Sequence, residues 1–298
     1  MDVIIKRGFT TTLDKLPNYS IALDGYCQGP NIDAENHRFS FDHHSHCFRY
    51  CTLASCMQAW TAIGLGLDPS LYTIYCNDVD TDVCAAVWCL QNPDKYLDPL
   101  VVKLINAIGI SDAHAGAFKG LNGMTKTVGW ISAPETDSKR NNDYYKLSET
   151  GLNSIMEAVL HRIDLYVSGE AQNEIIKQPK HGEYKILRNQ NDWILIESQD
   201  PHVLSSVYNA GFDRVVVTRP QSDGSTAVTF AKRSDFITNF PLNKIYEEIN
   251  KLEPGAGGST SLGGVIRNSD GSRSRLPLSK ITEIVDICIN DDTNKNLF

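Results

Sequence analysis

Three imidazoles and one carboxylate fall within five consecutive residues, Asp42-His43-His44-Ser45-His46. Further along, Asp78-Val79-Asp80-Thr81-Asp82 sets carboxylates at alternate positions, and upstream the apolar run Ser20 to Leu23 ends in Asp24-Gly25. Imidazole and carboxylate are the ligands of borderline and hard divalent metals. Carboxylates crowded into one place repel unless cations neutralise them. Two ions about 3.5 to 4 Å apart would do so, and would also activate a water and clamp a phosphoryl oxygen. Taken singly, each residue has a plainer role. An Asp after a strand is usually a turn or cap residue, and Asp82 in particular could cap the helix that follows it. Helix caps, however, do not call for Asp-His-His or Asp-x-Asp-x-Asp. The expectation is that the clusters converge on one metal site.

Such convergence needs elements that aim these residues at one place. Residues 2–5 and 20–24 read as short buried strands, apolar runs flanked by turn residues. The stretch GPNIDAENH reads as an exposed loop. Residues 51–65 read as a helix with an apolar stripe through Leu53, Met57, Trp60 and Ile63, stopped by Gly66. Leu71 to Tyr75 reads as a strand and the segment from Asp82 as a helix. Leu97 to Ile108 reads as a helix ended by Gly109, with Asp112 just beyond it. Residues 118–146 look polar and irregular, a surface insertion or lid. Over 149–176, apolar residues recur at helical spacing and belong to the core. Asp24, Asp42–His44 and Asp80–Asp82 thus fall at or beyond strand ends, and in an open α/β sheet the crevice outside the carboxyl ends of the strands is where sites form.

The texture changes near residue 183. Tyr184–Leu187 and Trp193–Glu197 read as a hairpin, Val203–Ala210 as a short helix, Val215–Thr218 and Ala227–Phe230 as strands. Leu242–Leu252 reads as an amphipathic helix, Val265-Ile266 as a strand and Leu278–Ile289 as a last helix. The predicted fold is therefore α/β in two domains: a larger one over 1–190 with a mainly parallel sheet, and a smaller one over 191–298, with the active site in the cleft between them. In the second, Gly257-Gly258 and Gly263-Gly264 bracket Ser259, Thr260 and Ser261. Paired glycines let backbone N–H groups approach phosphate oxygens, although alone the segment reads rather as a flexible Gly/Ser loop; its place between two well-defined elements of a compact domain turns the reading toward a ligand loop. Arg267, Arg273 and Arg275 follow closely, and Arg offers phosphate a bidentate fork. Arg219, Lys232 and Arg233 either line the same place or are solvated surface charges.

Composition narrows the partners. The chain of 298 residues carries 28 Lys+Arg against 36 Asp+Glu, a formal charge of −8. That disfavours a grip on long duplex nucleic acid and fits a small anionic substrate. No run of about 18 apolar residues suggests a membrane span, and MDVIIKRGFTTTLDK lacks the apolar core of a signal peptide. Seven of the 8 cysteines lie in the first third of the chain. The spacing of Cys47, Cys51 and Cys56 is not that of a structural zinc knuckle, so the reading is buried free thiols in a reducing cytoplasm.

Together, FDHH, the upstream LDG with Asp24, and CNDVDTD resemble the DHH phosphoesterase family. GGSTSLGGVIR, from Gly257 to Arg267, resembles the glycine-rich substrate loop of the C-terminal domain that accompanies it. The resemblance implies a two-domain enzyme with two Mn2+ ions, or Mg2+ in their place, cutting phosphoester or phosphoanhydride bonds. By the resemblance, Asp24 matches a bridging carboxylate, His43 a metal-binding His, Asp80 and Asp82 the Asp-x-Asp pair and Asp112 the last acidic ligand. His44 would face substrate phosphate, and Asp42 would orient the imidazoles from behind. Gly257, Gly258, Ser259, Gly263, Gly264 and Arg267 would contact substrate. Two features depart from the pattern. The Asp-x-Asp stretch follows the Asp-His-His stretch instead of preceding it, and Cys76 stands where a metal-binding His is usual, with Asp78 as the harder alternative ligand. The implied substrate is a small nucleotide or short oligonucleotide, and a homodimer is allowed. The rival readings are a catalytically altered nucleotide-binding or sensor protein and a pyrophosphatase-like enzyme.

Overall fold

The computed structural model describes residues 1–48, 51–114, 116–118, 123–141, 143–177, 182–190, 192–200, 203–266 and 272–295. The chain divides into two units, one of Met1–Ala115 with Gly120–Pro179, the other of Gly116–Lys119 with Lys180–Phe298. The division falls about ten residues before the expected boundary near 190, because the strand at 185–190 belongs to the sheet of the second unit. Each unit has its own sheet and helices, so the fold is mixed α/β.

The first sheet holds β1 (Val3–Ile5), β2 (Ser20–Leu23), β3 (Asn31–Asp33), β4 (Arg38–Phe41) and β5 (Thr73–Cys76) in the order β1-β5-β2-β4-β3. All pairings are parallel except β3 with β4. β2 is wholly buried, as a central parallel strand must be. The register brings the four parallel strands to an end almost abreast: Ile5 lies beside Cys76, Ala22 beside Tyr75, and Leu23 beside Phe41. The stretch read as an exposed loop before Phe41 in fact contains edge strand β3, whose only apolar side chain, Ile32, is exposed. An apolar-pattern argument has nothing to register there.

The helices of this unit are α1 (Ser55–Gly64), α2 (Thr81–Gln91), α3 (Pro99–His114), α4 (Thr125–Arg140), α5 (Glu149–Val167) and α6 (Gln172–Lys177). Two expectations are corrected. α3 does not stop at Gly109; the glycine stays helical, where a Cβ would come within 2.4 Å of Met57 on α1. It is a packing glycine, so Asp112 lies inside the helix. The supposedly irregular 118–146 contains α4, four turns long, which buries Trp130 and Ile131 together with polar Thr127, Ser132 and Glu135. Pro134 hid it, since proline cannot supply the helical N–H. The carbonyl of Trp130, four residues earlier, is taken instead by the Arg162 guanidinium of α5, which also lies 5.0 Å over the Trp130 ring.

The second sheet runs β10 (Gly257–Gly258), β11 (Leu262–Gly264), β9 (Thr226–Lys232), β8 (Arg214–Pro220), β7 (Trp193–Glu197) and β6 (Lys185–Gln190), with only β7 and β8 parallel. Its strands alternate between two cores. Trp193, Leu195, Val216, Val228 and Phe230 pack on α8 (Leu242–Asn250) and α9 (Leu278–Lys295). Ile194, Ile196, Val215 and Val217 pack on α7 (Val203–Asn209). The strand expected at Val265-Ile266 is instead Leu262–Gly264, which pairs with β9.

Candidate metal centre

Because the parallel strands of the first sheet end abreast, the residues that follow them emerge side by side: Asp24 after β2, Asp42-His43-His44 after β4, Asn77 to Asp82 after β5. Asp24 takes a left-handed backbone, φ 45°, followed by Gly25 at φ 82°. That tight turn keeps the carboxylate at the strand mouth. The Asn77 amide holds the turn from one side, donating to the carbonyls of Gly25 and Phe9 at 3.1 Å each.

Five side chains converge. The His43 ring is wholly buried, with Nε2 2.8 Å from Asp112 Oδ2 and 3.3 Å from Asp24 Oδ1. His44 Nε2 lies 2.9 Å from the same Asp24 oxygen, on a side chain 40% exposed. Asp24, His43 and His44 form one group able to hold a cation, and His43, Asp82 and Asp112 form another, the donor atoms within each lying no more than 4.8 Å apart. All five lie in the first unit.

The donors fit a divalent ion better than they fit one another. Neither nitrogen of buried His43, nor Asp112 Oδ2, has a hydrogen-bond partner of acceptable geometry. Buried polar atoms are rarely left so. A nitrogen pressed between two carboxylate oxygens, off the N–H direction, is the arrangement expected of ligands aimed at a shared ion. Electrostatics agree. Burial and the neighbouring Asp112 and Asp24 push the Asp82 carboxyl up to about 6. Asp80 is pushed well above the carboxylate range by burial and by Asp24, Asp112, Glu135 and Asp82. Burial alone would lower His43, but Asp112 and Asp24 outweigh it and raise the imidazole to about 10. Asp24 is held low by the two imidazoles despite its own burial. Without a metal, protons on this cluster do the neutralising.

The other expected residues fall differently. Asp80 is in neither group: its Oδ1 accepts from Val83 N at 2.9 Å and caps α2. The capping role considered for Asp82 thus belongs to Asp80. Asp82 accepts instead from Ser55 N at 2.8 Å and Cys56 N at 3.0 Å, the first amides of α1. A carboxylate there is favoured by the positive helix end. Asp42 is fully buried and accepts the amides of Gly29 at 2.7 Å and His44 at 3.0 Å, and the Ser45 hydroxyl at 3.3 Å. It shapes the backbone carrying the histidines and does not bond the His43 ring. His46, with φ 51°, packs its Cβ toward Gly29.

Neither alternative ligand joins either donor group. Cys76 is buried, its Sγ directed to the Ile4 carbonyl, and burial keeps the thiol protonated, up to about 12. Asp78 accepts the Tyr144 hydroxyl and the Val79 amide on one oxygen. The cysteines are all free, but Cys47 and Cys51 are not buried as expected.

Sequence reasoning missed Ser55, whose hydroxyl bonds the Phe41 carbonyl at 2.7 Å and lies 3.3 Å from Asp24 Oδ1. It also missed Glu135, Lys139 and Tyr144, which surround the turn after β5. Ser55 carried no signal, because the helix was expected from residue 51 and actually begins at Ser55; the other three lay in the segment read as irregular.

In the second unit the paired glycines face each other. Gly257 pairs with Gly264 and Gly258 with Gly263 in a tight hairpin. A Cβ on Gly263 would lie 2.2 Å from the Tyr246 hydroxyl, and one on Gly264 2.6 Å from the Val228 carbonyl. The amides of Ser259 and Leu262 are used inside the hairpin, the first on the Leu262 carbonyl at 2.8 Å, the second on Ser259 Oγ at 3.0 Å. The exposed side chains at its tip, Ser259 and Thr260, carry hydroxyls. Arg219 donates to Thr229, the strand neighbour of Gly264, at 3.2 Å. Lys232 is engaged by the Ile237 carbonyl and Asp235, Arg233 by Asp213 and the Tyr208 carbonyl. Arg267 lies outside the described residues. Among the described residues no helix is long and apolar enough to cross a membrane.

No protein-family model matches the chain, and no curated protein matches it. Among solved structures, the chain is similar to a pGpG-specific phosphodiesterase, PggH from Vibrio cholrae, at 12% identity and a TM-score of 0.44, over 86% of this chain and 79% of that one.

Proposed function

We propose that the chain is a divalent-metal-dependent phosphoesterase acting on a small nucleotide or short oligonucleotide. The carrying observation is the buried His43, its Nε2 set between Asp24 and Asp112 without hydrogen-bond geometry to either, at the mouth of a parallel sheet, with Asp82 completing the donor set. Mn2+, with Mg2+ as substitute, is the ion this oxygen-rich set with imidazole suits. Both candidate groups draw on His43. Two ions are accommodated if His43, Asp82 and Asp112 take one and Asp24 with His44 takes the other.

A bound divalent ion supplies charge neutralisation of a phosphoryl oxygen and a lowered pKa for water. The chain's own residues do the rest. Asp42 and Gly29 fix the backbone that presents the imidazoles. Ser55 and the Asn77 amide keep Asp24 in its turn. His44, the exposed imidazole, contacts the phosphoryl group and stabilises charge developing there. On the hairpin of the second unit, Ser259 and Thr260 offer exposed hydroxyls as candidate substrate contacts.

The test is turnover of cyclic dinucleotides, short oligonucleotides, bis-phosphorylated nucleosides and pyrophosphate with Mn2+. Hydrolysis by the wild type and its loss in Asp24→Asn, with the unfolding midpoint unchanged, is the expected result. Equal turnover in wild type and variant sinks the reading. A second reading, a nucleotide-binding protein with an altered site, is favoured by one observation: neither Cys76 nor Asp78 replaces the histidine usual in the resemblance. Nucleotide binding without turnover, at fewer than one metal per chain, would select it.

A further inference from the structure

The turn from Asn77 to Asp82 carries Asp82 into the centre, yet much of what holds it comes from α4 and the residues just after it, which contribute nothing to the two candidate groups. Tyr144 is fully buried and donates its hydroxyl to Asp78 Oδ1. Glu135, buried on α4, accepts the Thr81 hydroxyl at 2.7 Å on one oxygen and Lys139 Nζ at 2.6 Å on the other. Lys139 Nζ also lies 4.8 Å from the Tyr144 ring centre, and the Arg7 guanidinium lies 5.3 Å from it. Arg7 is tied in turn to the Leu147 carbonyl at 2.7 Å. The turn is thus gripped at Asp78 and at Thr81, on either side of the α2 cap Asp80. A buried acid, a buried phenol and two cations on one aromatic ring are costly to assemble unless each is satisfied by the others.

We propose that Tyr144 and the Glu135–Lys139 pair are positioning residues for the metal centre: they fix the Asp78–Asp82 turn so that Asp82 meets His43 and Asp112, and they hold Asp78 away from the ion. This rests on the metal-centre reading above. Outer partners of metal ligands typically change metal affinity by about 10- to 100-fold when removed.

The experiment is Mn2+ titration of the purified full chain, read as free Mn2+ by electron paramagnetic resonance, with unfolding midpoints measured in EDTA. Tyr144→Phe keeps the ring and removes only the hydroxyl. Asp78→Ala removes the acceptor, and Asp78→Asn keeps an acceptor oxygen. Tyr144→Phe and Asp78→Ala are each expected to weaken Mn2+ binding about tenfold. Their combination should be no weaker than either alone, because both break one interaction, and Asp78→Asn should bind within about twofold of wild type. Glu135→Ala, an independent break at Thr81, is expected to act in the same direction if Tyr144→Phe does not fold. Wild-type Mn2+ affinity in the folded variants, or losses confined to the EDTA midpoint, would overturn the proposal. A wild type that binds no Mn2+ would instead remove the metal-centre reading itself, and this inference with it.

Discussion

The two sheets of this protein treat their strand ends in opposite ways. In the first, four parallel strands finish abreast, and every chain segment leaving them starts from the same rim. Titratable residues placed just after the strands are therefore collected, and Asp24, His43, His44 and Asp82 meet although they are distant in sequence. In the second, all but one of the pairings are antiparallel, so successive strand ends fall on opposite rims and turns are local. What it offers at its glycine hairpin is close backbone approach and hydroxyls, and among the described residues neither candidate metal-holding group falls there. A parallel sheet concentrates charge and thereby builds a site that needs a counter-ion. An antiparallel hairpin presents a surface that can contact a ligand without perturbing its acid–base chemistry. Metal binding and rate should follow substitutions in the first unit, and apparent substrate affinity those in the second.

The severest way to break that division is at His43. His43→Ala removes the residue common to both donor groups, so Mn2+ affinity should fall by more than about 100-fold, beyond the range seen for outer partners, with turnover lost. If isothermal titration shows the metal still bound tightly, the convergence of the strand ends is not a metal centre. Asp82→Asn is the gentler companion, since its amide oxygen can still accept from one amide at the start of α1.

The proton load of the centre predicts its pH dependence. His43 titrates near 10 in the fold against an ordinary 6.5, so its contribution to the metal-free protein is complete below 6.5 and is lost as pH rises through 10. Asp82, raised to about 6 from 3.8, favours the protonated fold as well, and its contribution fades between those values. The unfolding midpoint in EDTA should fall as pH rises from 6.5 to 9.5. Metal binding must displace these protons. The logarithm of Mn2+ affinity should therefore rise with a slope of about one per pH unit between 6 and 10, and more steeply below 6. A flat profile would mean that His43 is neutral in the metal-free protein. The second unit should show no such dependence. There, Ser259→Ala with Thr260→Ala should raise KM several-fold while leaving Mn2+ affinity unchanged; a change in metal affinity instead would erase the contrast between the units.

How much of this was legible in the residues depends on whether one residue's chemistry or a neighbour's decided the outcome. The α/β class, the two units and the convergence of Asp24, His43 and Asp82 could be read because short apolar runs ended in ligand-type residues; Asp112, inside a helix, was reached only through the resemblance. The division of labour inside Asp-x-Asp-x-Asp could not. Asp78, Asp80 and Asp82 are chemically identical, and what separates them is who donates to each: Tyr144, the Val83 amide, and the start of α1. Asp42 looked like a partner for the imidazoles, but the nearest donors were backbone amides, which leave no trace in a sequence. α4 was missed because Pro134 breaks the helical hydrogen bonding locally and Arg162, from another helix, repairs it. Glycines were read unevenly: Gly66 ends α1 as expected, with φ 103°, whereas Gly109 marks a close helix contact, and the paired glycines mark close backbone approach within the hairpin.

Those glycines give the smallest and most discriminating effects. Gly263→Ala drives a methyl to within 2.2 Å of the Tyr246 hydroxyl and 2.4 Å of the Gly257 carbonyl. Overpacking against backbone costs about 1 to 3 kcal/mol, and it should appear in the unfolding of the second unit with Mn2+ binding intact. Gly109→Ala clashes only with the Met57 side chain, which is long and adaptable, and reaches ordinary contact with Ala54 at 3.5 Å. Its helix also gains roughly 0.5 to 1 kcal/mol of propensity, so the net change in stability should stay within about 1 kcal/mol. Yet Gly109 lies on α3 less than one turn before Asp112, on the face pressed to α1, whose first amides hold Asp82. If the centre is as tightly registered as its buried ion pairs without hydrogen-bond geometry indicate, this nearly silent substitution should still weaken Mn2+ binding measurably, about two- to fivefold, less than the loss of an outer partner. Unchanged affinity would show that the α1–α3 contact absorbs the methyl without moving Asp112, and that the precision of the site resides in its strand ends alone.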